Sequence, residues 1–141
     1  MANDLFKTYD IKGLENVELK GKIGDICDGT KIFCKLELGN KCHIAINNSF
    51  IGKGTVRIGD SSSVAPNCVF YTSMPNFRLG AKNKFVTEHE PISGDIVIGR
   101  NCFIGAGCVI GCGVIIEEGT VIPPLTNIKP FTKYKREYVW R

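Results

Sequence analysis

The chain has 141 residues, 43% of them apolar and 23% charged, with 18 Lys and Arg against 14 Asp and Glu. That is one soluble domain's worth of chain, large enough for a real core. The net charge of +4 is too mild to indicate a nucleic-acid partner but suits a small anionic ligand.

No apolar run reaches the roughly 18 residues that cross a bilayer, so no transmembrane segment is expected. Charges at Asp4, Lys7 and Asp10 leave no apolar centre for a signal peptide, and a cytoplasmic location is expected. In a reducing compartment the seven cysteines read as free thiols acting as small apolar side chains. Cys108 and Cys112 lie four apart and Cys42 adjoins His43, but neither is a recognised zinc spacing, and no metal is expected.

Along the chain, residues 1–16 carry apolar residues without a period and are expected to pack across one end of the domain as a cap. A repeat then begins. Ile26 with Thr30, Ile32 with Leu36, Leu38 with Cys42, and Ile44 with Asn48 place an aliphatic anchor every sixth residue and a second restricted residue four positions after it. The frame is expected to slip by one at Ile51 with Thr55 and again at Ile58 with Ser62. It continues through Val64 with Cys68 to Phe70.

Residues 72–91, "TSMPNFRLGAKNKFVTEHEP", interrupt the repeat with Arg78, Lys82, Lys84 and two prolines. Such a segment cannot be wound into a core and is expected to protrude as a loop, a common place for function. The repeat resumes with Ile98, Ile104, Ile110, Ile116 and Ile122, extended at either end by Ile92 and Ile128. Gly99, Gly105 and Gly111 each follow an anchor. Residues 129–141, "KPFTKYKREYVWR", form a basic, aromatic tail.

A strand repeats every two residues and a helix every 3.6, so neither explains a period of six. A short strand plus a bend does, and three such units make one turn of a triangular tube with the anchors stacked inside. Hexapeptide periodicity is the mark of a parallel β-helix. A meandering antiparallel sandwich would leave so many six-spaced anchors to coincidence.

The stretch "IVIGRNCFIGAGCVIGCGVII" resembles the hexapeptide-repeat acyltransferases, whose fold is a left-handed parallel β-helix. Only this resemblance implies the handedness, which runs against the usual crossover preference. With "NCVFYTSMPNF" and its loop, the chain is most similar to the members that acetylate sugars, nucleotide-sugars and polysaccharide precursors. The resemblance implies transfer of an acetyl group from acetyl-CoA to a sugar hydroxyl or amine, by a homotrimer. It places acetyl-CoA at Gly105, Ala106 and Gly107, where a corner amide meets the oxyanion. The tail residues Lys129, Lys133 and Arg136 would meet its phosphates. The acceptor falls to Asn76, Arg78, Lys82 and Lys84 of the loop.

His89, flanked by Glu88 and Glu90, is the candidate general base, with His43 as runner-up. Relatives carry the base directly after a Thr-Ser pair; here Thr72 and Ser73 are followed by Met74 and Pro75. Pro123 and Pro124 likewise lack the N–H of a second glycine-alanine corner. Two histidines are too few for the three-histidine zinc site of γ-type carbonic anhydrases. The contrasting expectation is a non-catalytic β-helix serving as a structural or assembly subunit.

Overall fold

The computed structural model describes residues 10–22, 24–76 and 90–134. They form a left-handed parallel β-helix of about five turns. The first coil runs through β1 (Val17–Leu19), β2 (Asp25–Ile26) and the first half of β3 (Lys31–Leu38). The second uses the rest of β3, then β4 (His43–Ile44) and the first half of β5 (Ser49–Ile58). The third runs from the end of β5 through β6 (Ser63–Val64) to β7 (Val69–Tyr71).

An excursion bounded by β8 (Ser73–Met74) and β9 (Ile92–Ser93) follows. The fourth coil is β10 (Ile96–Ile98), β11 (Phe103–Ile104) and β12 (Val109–Ile110). The fifth is β13 (Ile115–Ile116), β14 (Val121–Ile122) and β15 (Asn127–Ile128), and β16 (Lys133–Tyr134) starts another turn. Among the described residues every ladder between coils is parallel, and only β8 and β9 pair antiparallel. The strands stack into three faces: the first holds β1, β10, β13 and β16, the second β2, β4, β6, β11 and β14, and the third β7, β12 and β15. Long β3 and β5 bend from the third face onto the first.

The anchors are the core. Ile26, Ile32, Leu38, Ile44, Ile58, Val64, Ile98, Ile104, Ile110, Ile116, Ile122 and Ile128 are all buried. The position four after each anchor also points inward, and its chemistry has a structural cause. At each corner the carbonyl following the anchor turns toward the interior and needs a donor. Thr120 Oγ1 donates to Glu117 O at 2.7 Å, and Thr126 Oγ1 to Pro123 O at 2.8 Å. Asn48 Nδ2 donates to both Ala45 O and Ala65 O, while its Oδ1 accepts the Cys68 amide at 2.9 Å. Ser62 Oγ and Cys68 Sγ reach across to Gly99 O and Gly105 O of the following coil. A small side chain with a hydroxyl, amide or thiol fits there because it satisfies the turn without filling the tube.

Three residues on from the anchors, the corners adopt left-handed backbone. Asn47, Asn67, Asn101 and Gly107 have φ of 58°, 64°, 56° and 71°, which asparagine and glycine tolerate best. Gly105 has a different reason. A Cβ there would run into the backbone of Pro123 and Pro124 on the coil above.

The structure corrects the expected frame at two places. Phe50 and Val56 point inward with no exposure, whereas Ile51 is 38% exposed, and Thr55 lies on the strand's outer side. Phe50 is six residues after Ile44, so no slip has yet occurred. The extra residues enter together at Gly52–Gly54, opposite Cys34, where the β3–β5 register breaks between Phe33 and Lys35. The error arose because an aromatic was not read as an anchor. Phe50 stacks on Phe70 of the next coil, centroids 4.7 Å apart and planes 9° from parallel. Ile92, too, is not a core anchor; it lies in β9 at the foot of the excursion and is only half-buried. At the other end of the tube, Ile11, Leu14 and Val17 pack against the core.

Ile104 has no exposure. Ile104→Ala is expected to lower stability by about 2–5 kcal/mol through the cavity it opens, read by denaturant unfolding. Ile104→Asp buries an unpaired charge and is expected to yield no cooperative unfolding transition at all.

Candidate functional site

The excursion leaves the tube where the third face turns onto the first, and its feet are bolted to the Gly52–Gly54 bulge. Thr72 is fully buried; its Oγ1 donates to Ile51 O at 2.9 Å and accepts the Gly54 amide at 2.9 Å. Ser73 Oγ accepts the Lys53 amide at 3.1 Å. Ser73 and Met74 pair with Ser93 and Ile92, and Gly94 N–H donates to Thr72 O at 2.9 Å. The Thr-Ser pair thus clamps the loop's base. Asp95 completes the clamp, accepting from the Thr55 amide and from Arg57 Nη1, both at 2.8 Å. The amide first, and then the guanidinium, hold its carboxyl below the usual carboxylate range.

Beyond the clamp, Asn76 is half-buried, and its Oδ1 is buried without a hydrogen-bond partner among the described residues. An orphaned acceptor at a loop mouth is the kind of group a ligand's N–H or O–H satisfies. Of the loop residues assigned to the acceptor or to catalysis, Arg78, Lys82, Lys84 and His89 lie outside the described residues, as does Arg136 of the tail.

Gly105, Ala106 and Gly107 form a different corner, between the second and third faces. Gly105 N–H donates to Ile122 O at 2.8 Å and Gly107 N–H to Pro66 O at 3.0 Å, so both are spent on the coil. Among the described residues the Ala106 N–H has no acceptor. Pro66 and Pro124 hold the equivalent places on the adjoining coils and offer no N–H, which leaves Ala106 as the donor at this corner. Pro123 occupies the place of Gly105 on the last described coil of that face, where no described strand follows to accept a bond. Lys129 and Lys133 flank the corner between the third and first faces, and both are exposed. One chain therefore does not bring them together with Gly105–Gly107.

His43 faces outward from β4 on the second face, across the tube from the corner that carries the excursion. Its Nδ1 lies 2.6 Å from Asp25 Oδ1, its register partner on β2, and its side chain is 45% exposed. Cys27 completes a group that the spacing of residues did not reveal: one ligand-type atom each from Asp25, Cys27 and His43 lies within 4.8 Å of the others. Asp25 and His43 are eighteen residues apart, one full coil, and that period was the available clue. Cys42, which adjoins His43 in the chain, points inward and donates to Gly59 O.

Cys27 is also the one half-exposed thiol; the other six are buried. Burial, and then the Asp25 carboxylate, push the Cys27 thiol up. Burial pushes Cys34 up to about 11 and raises Cys42 and Cys102. Cys68, beside Cys108 in the tube, is raised as well. None of these five has the lowered pKa of a nucleophilic thiol.

A family model for the bacterial transferase hexapeptide, six repeats, matches residues 95–130. The match covers the fourth and fifth coils, about a quarter of the chain. Among solved structures, it is similar to AntD, an N-acyltransferase from Bacillus cereus, in complex with dTDP and 3-hydroxybutyryl-CoA. The identity is 19% over 88% of this chain and 68% of that chain, with a TM-score of 0.73. A variant of AntD in complex with dTDP and coenzyme A matches at 19% identity over 88% and 69% of the two chains, with a TM-score of 0.74. Another, in complex with dTDP-4-amino-4,6-dideoxyglucose and coenzyme A, matches at 19% identity over 92% and 79%, with a TM-score of 0.69. At this identity the likeness establishes the fold. No curated protein matches the chain by sequence.

Because the Asp95 carboxyl is lowered in the folded state, its contribution is present above the unfolded value, about 3.9, and is lost as pH falls below it. The midpoint of thermal unfolding is therefore expected to drop more steeply below pH 4 in the wild type than in Asp95→Asn. Parallel curves for the two would remove Asp95 from the clamp.

Proposed function

We propose that the protein transfers an acyl group from an acyl-coenzyme A thioester to the amine of a nucleotide-linked amino sugar. The observation that carries this reading is a hexapeptide coil interrupted at a clamped corner, with Asn76 Oδ1 and the Ala106 amide both unpaired among the described residues. The AntD complexes with coenzyme A, an acyl-CoA and a dTDP-amino sugar support it. A hydroxyl acceptor would need more help from a base than an amine does. The acetyl group remains the proposed acyl unit, as the sequence resemblance implies.

In this reading the amine attacks the thioester carbonyl, and the Ala106 N–H stabilises the oxyanion of the tetrahedral intermediate. The C–N bond forms as the C–S bond breaks, and coenzyme A leaves as thiolate. His89 takes the proton from the nitrogen and returns it to the departing sulfur. Asn76, with Arg78, Lys82 and Lys84, holds the sugar nucleotide, while Lys129, Lys133 and Arg136 meet the coenzyme A phosphates.

The Ala106 corner and the excursion lie at different edges of the triangular tube. A cyclic trimer, in which one chain's Ala106 corner faces its neighbour's excursion, joins the two halves, and we propose this homotrimer as the active form. Sedimentation is expected to give a trimer at micromolar concentration. A stable monomer would leave each site without its second half.

A thiol-release assay with acetyl-CoA and a panel of nucleotide-linked amino sugars tests the activity itself. In that assay His89→Ala is expected to lower kcat by about 10²–10⁴-fold. KM for the thioester should hold nearly constant, since the imidazole acts on the acceptor. His43→Ala is expected to leave kcat close to wild type, because His43 stands on another face of the same chain. Loss of activity in His43→Ala alone would exchange the two roles. Full activity in both would assign the reaction to orientation of the amine without a histidine base.

A further inference from the structure

We propose that Asp25, Cys27 and His43 bind one divalent transition-metal ion of the zinc class on the outer surface of the first two coils. Their ligand atoms, a carboxylate oxygen, a thiol sulfur and a ring nitrogen, lie within 4.8 Å of one another. A tetrahedral ion held at about 2.0–2.3 Å from each donor spaces them by roughly 3.3–3.8 Å. Side-chain rotation of about an ångström therefore closes the set. His43 Nδ1 and Asp25 Oδ1 already lie 2.6 Å apart, a hydrogen bond that the ion would replace.

The backbone beneath the site is fixed. Asp25 N–H donates to Cys42 O at 3.0 Å and Cys27 N–H to Ile44 O at 2.8 Å, on either side of His43. These rungs fix the three residues in register with one another. Little ordering remains for the ion to supply.

The donor set selects the ion. Sulfur and imidazole nitrogen disfavour calcium and magnesium, which take oxygen ligands. One thiolate and one carboxylate neutralise a divalent charge. A proton leaves Cys27 as the ion binds, so affinity rises with pH. All seven cysteines lie among the described residues and Cys27 is the one not buried, so it is the thiol an arriving ion can reach. The partly exposed His43 and Asp25 leave a fourth position open to solvent. The ion would join β2, the terminal strand of its sheet among the described residues, to β4 on the second coil. It would act as a clip between the first two coils.

The test uses the untagged full chain, stripped with a chelator and titrated with Co²⁺. One Co²⁺ per chain is expected, with the near-ultraviolet absorption of a cobalt–thiolate bond, displaced by Zn²⁺, and a raised melting temperature in either metal. Cys27→Ser is expected to abolish the thiolate absorption. His43→Ala and Asp25→Asn are expected to weaken binding by about tenfold or more, since even groups that only orient a ligand are worth that much. All three substitutions are on the outer surface, and circular dichroism verifies that each variant keeps its β structure. Fewer than one bound ion per chain, or thiolate absorption surviving in Cys27→Ser, would overturn the proposal. So would alkylation of Cys27 by iodoacetamide at equal rates with and without Zn²⁺, which would point to a free thiol beside a histidine.

Discussion

Register between coils is the constraint on which everything else in this protein depends. Each strand is two to ten residues long, and most have only two. No such strand is stable alone; it is held by the ladder above and below it and by an anchor stacked on the anchors of its neighbours. A one-residue shift would turn every buried isoleucine outward. The coils therefore keep a strict length, eighteen residues between Asp25 and His43 and again between Phe103 and Val121.

That strictness limits where the chain can accept extra residues. Two insertions occur, and they adjoin. The Gly52–Gly54 bulge lengthens the second-to-third coil spacing to twenty, and the excursion after Tyr71 lengthens the next to forty. Both sit at the same edge, where Thr72, Ser73 and Asp95 take up the amides the bulge leaves free. A local expansion of the tube is thus closed by β8 and β9. The interior is polar at its corners for a related reason: a tight turn aims a carbonyl inward, and only a side chain from the same or the adjoining coil can reach it.

The period of six made the architecture legible, and the inward anchors from Ile26 to Ile44 and from Ile98 to Ile128 could be assigned residue by residue. The frame failed at Phe50 because local pattern favours the aliphatic Ile51, whereas the stack on Phe70 is a contact between residues twenty apart. The glycines after the anchors were noticed, but their reason lay elsewhere: Gly105 is small because the coil above passes close, and the left-handed turn falls two residues later. The candidate site was less legible. That Ala106, and not its glycine neighbours, keeps a free amide depends on which N–H groups the ladders consume. The Asp25–Cys27–His43 group was hidden because reading spacings within one coil never compares positions a full coil apart.

The sequence by itself determined the six-residue unit, the tube and the interruption at 72–91, because each follows from alternation and size along a single stretch of chain. Tertiary structure alone decided which residues meet across coils and which edges of the triangle they occupy. The physical reason is that neighbours in a β-helix are set by coil length. One insertion of two residues re-pairs everything after it, and no local property of the residues records that sum.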